Sequence, residues 1–210
     1  MTSFRVILAL IAMAQSVGIQ AATNSAITKV LSGATEIALH TGVNRVPDFA
    51  SDGREALVVV GWRGNGNAHG YSLFTILMQN GEQPRDWNIV GVDHKARFED
   101  TVSDDPHTGE DIVSSVRFVR AYFKQRRQSL IVVATRHWKD SIPEPANTTI
   151  DVYALARSQG DIGETADFFS RVLTTQSRLK YCNADMALKQ EAGLPLPPDY
   201  AGSKTSTGCL

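Results

Sequence analysis

Cysteine is scarce here, one sign of charge does not dominate, and histidines do not cluster; each lack removes a class of protein. Two cysteines in 210 residues exclude a small fold stapled by several disulfides. Lysine and arginine number 21 against 22 acidic residues, a balance that gives no reason to propose nucleic acid or anionic lipid as a partner. Five histidines (His40, His69, His94, His107 and His137) never fall at His-x-x-x-His and never pair with a cysteine at ligand spacing, so neither a metal nor a cofactor is expected. Folding could still gather Asp93, His94 and His107.

Long apolar runs are also few. Val6 to Ala14 (VILALIAMA) follows a short segment charged at Arg5 and precedes the small residues that end Ile19-Gln20-Ala21-Ala22. Those three parts are those of a secretory signal. The run is too short to cross a hydrocarbon core of about 30 Å, which needs roughly 20 helical residues. The expectation is a cleavable signal peptide over 1–21, a periplasmic or secreted protein, and no stable membrane insertion after cleavage. About 189 residues then remain, enough for one domain with a true core. In an oxidising compartment the even count favours a bond between Cys182 and Cys209, closing a loop of about 27 residues and worth roughly 3 kcal/mol. The alternative is that Cys209 is loose or bonds another molecule.

Turn residues then divide the chain into short apolar stretches rich in β-branched side chains. A polar lead-in covers 22–33, with a short helix over Ser25 to Leu31. Strands are expected at Glu36–His40, Leu57–Arg63, Tyr71–Met78, Trp87–Asp93, Val116–Phe123, Leu130–Trp138 and Thr148–Ala156. Phe168–Thr174 suits a strand or a helix equally. Asn183 caps a helix that Gly193 stops, with prolines beyond. The fold class is therefore mainly β, an antiparallel sheet or sandwich with a short C-terminal helix. It forms a single domain over 34–194, followed by a flexible tail over 195–210.

Catalytic motifs fail one by one. Ser177-x-x-Lys180 has the spacing of a penicillin-recognising serine, but Ser103-Asp104-Asp105 precedes it and Lys204-Thr205-Ser206 lies in the tail, the wrong order for that chemistry. Gly64, Gly66 and Gly70 sit between two strands, whereas a dinucleotide loop must open a helix. Asp48 to Ala56 has the outline of a calcium loop but places Ala50 and Ala56 where ligands belong, so a plain turn is expected. Arg117, Arg120, Lys124, Arg126 and Arg127 read as a solvated strand end, and Trp62, Trp87 and Trp138 as packing residues.

The ordered motifs that remain are an Asp-Gly turn before a strand ending Trp62-Arg63, then Asn67-Ala68-His69, and Trp87-Asn88-Ile89-Val90. Ala134-Thr135-Arg136, Asp151-Val152-Tyr153 and Tyr181-Cys182-Asn183 follow. Over Asn44 to Leu194 this order resembles the carbapenem intrinsic-resistance family of CarG-like proteins, small periplasmic proteins of Gram-negative bacteria. The acidic loop departs from the fuller Asp/Asn-Gly-Asp-Gly pattern of that family. The resemblance implies protection from a β-lactam without a recognised hydrolytic centre, hence a non-enzymatic binding protein with no catalytic residues to assign. It points to Arg63, Asn67, His69 and Arg136 as binding residues: arginine forks suit a carboxylate, and loop Asn and His suit directional hydrogen bonds. The plainer reading has both arginines capping strand ends against Asp93 or Asp151. Two other functions compete. One is an inhibitor or immunity protein that binds a toxin or cell-wall enzyme. The other is a hydrolase in which His69, His94 or His107 meets a serine or an acid.

Overall fold

Strands that are apolar on both faces need cover on both, and this requirement sets the architecture. The computed structural model describes residues 26–67, 69–81, 83, 85–94, 97–104, 112–159 and 165–210. The expected signal peptide and His107 lie outside them. A helical turn α1 (26–30) precedes β1 (Thr35–Glu36), β2 (Gly42–Val46), β3 (Ala56–Arg63) and β4 (Tyr71–Gln79). Next come β5 (Trp87–Ile89), β6 (Gly91–His94), β7 (Arg97–Glu99) and β8 (Val102–Ser103). The long strands β9 (Ser114–Phe123), β10 (Arg126–Arg136), β11 (Thr148–Arg157) and β12 (Asp167–Gln176) then lead to α2 (Ala184–Ala192). The larger sheet has the order β1-β9-β10-β11-β12-β6-β7, and the smaller has β2-β3-β4-β5 with β8 also on β4. All pairings are antiparallel except β12 with β6.

Two apolar layers follow from the period of two along each strand. Val116, Phe118, Ile131 and Tyr153 turn toward Val58, Val60, Phe74 and Ile76 of the smaller sheet. Val119, Leu130, Val132, Ile150 and Val152 turn the other way, onto Ile27 and Leu31 near α1 and Ala184 and Leu188 of α2. The molecule is thus a sandwich with a helical third layer. Phe168–Thr174 resolves as strand, within β12, because it continues this ladder against β11.

The expected strand Trp87–Asp93 divides in two. β5 pairs with β4, Val90 donates its N–H to the Ile76 carbonyl at 2.8 Å, and β6 then joins the larger sheet beside β12. Gly91 sits at the switch, where an added Cβ would lie 3.0 Å from Thr165 Oγ1 and 3.3 Å from Phe98 Cβ; glycine permits that close crossing.

The Asp48–Ala56 loop is a plug. Phe49 is fully buried and meets Phe169 edge-on at 6.0 Å between ring centres. Asp48 accepts the Gly53 N–H at 2.9 Å, and Asp52 accepts the Arg54 N–H at 3.1 Å. Arg54 then forks onto Asp167 of β12 at 2.7 and 3.1 Å, bridging the two sheets.

Asn183 caps α2 by accepting the N–H groups of Asp185 and Met186, and Gly193 closes it at φ 72°, a left-handed conformation that favours glycine. Cys182 is bonded to Cys209 across 27 residues. Around that bond, Cys182 donates its N–H to Thr207 at 3.1 Å, and Tyr200 packs against the cluster of Tyr181, Met186 and Ala187. Among the described residues no helix is long and apolar enough to cross a membrane.

Candidate functional site

The four sequence-derived binding residues separate into three and one. Arg63, Asn67 and His69 share the hairpin between β3 and β4. There Arg63 lies opposite Tyr71 and Trp62 opposite Ser72. Asn67 accepts the His69 N–H and Asn65 donates to the His69 carbonyl, both at 2.9 Å, so the tip is pinned by its own asparagines. Such side-chain turns are why asparagine suits a hairpin tip. Arg63 donates to the Tyr71 hydroxyl at 2.9 Å and lies 5.6 Å from the centre of that ring. The rest of its guanidinium faces solvent, and the His69 side chain is exposed as well.

Trp62 has the parity of Val58 and Val60 and so continues the inner face of β3 past the end of the core. It is 51 % exposed, unlike a packing residue. A Cβ at Gly70 would lie 2.3 Å from its ring, so the indole rests on bare backbone that only glycine provides.

Arg136 is elsewhere and buried, 2 % exposed. Its guanidinium donates to the carbonyls of Tyr181 (2.9 Å), Ile112 (3.4 Å), Ile142 (2.7 Å) and Glu144 (2.7 Å). This ties the end of β10 to the segment before α2 and leaves the fork engaged by main chain. The partner of Asp151 is not Arg136 but Arg171, at 3.9 Å, with Thr174 at 2.5 Å.

Beside the hairpin, a cleft of about 480 Å³ opens between Val60, Ser72 and Phe74 on one side and Val116 and Phe118 of β9 on the other. That size is within the range of small-molecule sites. Its polar lining comprises His40, Thr41, Ser72, Asp104, Ser115, Asp199 and the pair Glu36–Arg117. Arg117 grips both Glu36 oxygens (2.7 and 3.0 Å), Asp185 (3.3 Å) and the Pro195 carbonyl (2.7 Å). Ser115 donates to Asp185 at 2.6 Å. Glu36, Asp104 and Asp199 line the cleft, and its one arginine is already held by Glu36 and Asp185, so the cleft disfavours an anion, whereas Arg63 on the hairpin is an exposed cation. Sequence reading placed Arg117 on a solvated strand end. The signal that would have corrected it is parity, since Arg117 shares a face with Val119 and Ala121.

Other candidates have structural work. Ser177 accepts the Thr148 N–H at 2.9 Å and donates to the Leu179 carbonyl at 2.6 Å, while Lys180 is exposed. The His40 ring meets the Thr41 carbonyl (2.9 Å) and the His137 ring the Thr149 hydroxyl (2.6 Å). The proposed gathering of Asp93, His94 and His107 falls partly outside the described residues.

Fold and surface thus define a mainly β two-sheet protein with a disulfide-tied C-terminal segment. The comparison that matches this description is with the crystal structure of CarG, at a TM-score of 0.61 and 22 % identity, covering 74 % of this chain and 94 % of that one. The chain has a CarG-like fold. No protein-family model and no curated protein sequence matches it.

Proposed function

We propose that this chain works outside the cytoplasm as a non-enzymatic protective binding protein, in the manner implied by its resemblance to the carbapenem-resistance family, with the β3–β4 hairpin as its recognition surface. The observation that carries this reading is the grouping of Trp62, Arg63, His69 and Tyr71 on one pinned tip. A surface fixed before binding loses little conformational entropy when it docks. Arg63 offers the fork suited to a β-lactam carboxylate. The apolar segment at 6–14 supports export.

The test is carbapenem susceptibility of a sensitive Gram-negative strain with and without the exported protein, beside an assay of drug loss with purified protein. Increased resistance with no drug loss is the expected result, and a Trp62→Ala/Arg63→Ala variant should lose protection while keeping its melting temperature. Unchanged susceptibility would remove the proposal. The same hairpin favours a second reading. Trp, Tyr and Arg are the residues enriched at protein-contact hot spots, which suits an inhibitor or immunity protein. That reading expects a 1:1 complex with a periplasmic protein, weakened by the same double variant.

A further inference from the structure

The inner face of the larger sheet changes character along its length. Successive rows across β9, β10 and β11 read Phe118–Ile131–Tyr153, then Val116–Val133–Asp151, then Ser114–Thr135–Thr149. The first kind of row fills the sandwich interior; in the other two Val133, Asp151, Thr135 and Thr149 are half-buried, so the polar end of the face is the part that solvent or a ligand reaches.

Where the face turns polar, the opposite wall is Glu99, Thr101 and Ser103 rather than β3 and β4, and a cavity of about 270 Å³ remains between them. It shares no lining residue with the cleft beside the hairpin. Tyr153 lines it, is 3 % exposed, and makes no hydrogen bond through its hydroxyl among the described residues. A phenol that opens onto the cavity and has no partner among the described residues keeps its donor and its acceptor capacity for a ligand.

The charges narrow the occupant. Asp151 already accepts from Thr174 (2.5 Å) and faces Arg171 (3.9 Å), and Glu99 faces Arg97 (3.0 Å). Each carboxylate is therefore compensated yet keeps acceptor capacity. No basic side chain lines the cavity among the described residues, which disfavours an anion. An ammonium ion would have donors for the carboxylates but no acceptor for the phenol. A hydroxyl group has both. The volume lies just below the usual range for drug-sized ligands.

We propose that this cavity binds a small neutral polyhydroxyl ligand of monosaccharide size, which donates to Asp151 and Glu99 and accepts from Tyr153.

The experiment is an NMR titration of the disulfide-intact protein with D-glucose, D-galactose, D-mannose and glycerol, with ethylammonium and inorganic phosphate as charged controls. At least one polyol should shift the amides of Ser103, Ser114, Thr135 and Tyr153 saturably, and neither control should. Tyr153→Phe keeps the ring and should weaken binding about threefold to tenfold, the effect of one hydrogen bond. Its melting temperature should not fall, because the hydroxyl bonds to nothing among the described residues. Asp151→Asn provides a second variant with the same expected direction. The proposal is overturned if no polyol gives a saturable shift. Unchanged affinity in Tyr153→Phe, or a response to ethylammonium or phosphate alone, would overturn it too.

Discussion

Replacing Arg136 by methionine separates a structural clamp from a binding residue. The side chain is 2 % exposed and donates to four main-chain carbonyls between 2.7 and 3.4 Å. Hydrogen bonds that involve a charged group contribute about 1.5–3 kcal/mol each. Methionine also removes the large cost of keeping a guanidinium out of water, so the four do not simply add. What remains is the penalty of stranding the carbonyls of Tyr181, Ile112, Ile142 and Glu144. By analogy with breaking a buried charged network, the net loss should be about 3–5 kcal/mol. For a domain of this size each kcal/mol lowers the melting temperature by roughly 2–4 °C, so a fall of roughly 6–20 °C is expected. Circular dichroism melts and urea titrations measure it. Arg136→Lys should recover little, because one ammonium cannot reach carbonyls placed around a planar fork. A loss below about 1 kcal/mol would refute the clamp. If such a variant also lost drug protection, Arg136 would be a ligand contact, as the motif reading first expected.

Three further results are expected. Cys182→Ser/Cys209→Ser opens the 27-residue loop and should cost about 3.5 kcal/mol by chain entropy, read as a lower urea midpoint that a reductant reproduces in the parent protein. Tyr153 should ionise late, because burial, joined by the charge of Asp151, raises its phenol from 10.0 to about 12. Burial, together with its bond to Glu191, also raises Tyr181. Since the folded state holds these protons more tightly, stability should be unaffected below pH 10 and fall as the pH rises toward 12; Tyr153→Phe should lessen that fall, and an unchanged slope would contradict it. Gly70→Ala puts a methyl 2.3 Å from the Trp62 ring, so the half-exposed indole should swing away, with red-shifted emission and nearly unchanged stability.

The larger sheet was legible because its strands carry their own evidence. Val116–Phe123, Leu130–Trp138 and Thr148–Ala156 are apolar on both faces and bounded by turns, and each became a long strand. α2 was equally plain, since Asn183 and Gly193 are local stop signals. β2, β7 and β8 were missed; they are short edge pieces in which Asn44, Arg97 and Ser103 leave no period to detect. The division of Trp87–Asp93 was hidden for a different reason. Its two halves differ little in character, and the close neighbours that require glycine at the switch, Phe98 and Thr165, come later in the chain.

The site was legible only where the chain is local. Arg63 and Arg136 end their strands in similar company, Gly61-Trp62-Arg63 and Ala134-Thr135-Arg136, and nothing within either segment tells them apart. Gly64 and Gly66 follow Arg63, so the chain leaves the sandwich at once and its guanidinium stays in water, meeting the cross-strand Tyr71 alone among the described residues. Beyond Arg136 the chain turns back so that Ile142 and Glu144 present their carbonyls, and the Cys182–Cys209 bond holds the Tyr181 segment beside α2. The difference between a surface fork and a buried clamp is thus made by residues 6 to 45 positions later in the sequence. The recognition role proposed for Arg63 and the stabilising role expected of Arg136 follow from the same side chain placed in opposite surroundings. Exchanging each for methionine should therefore reverse the readouts: Arg63→Met should leave the melting temperature within about 2 °C, as expected for an exposed position, while impairing protection.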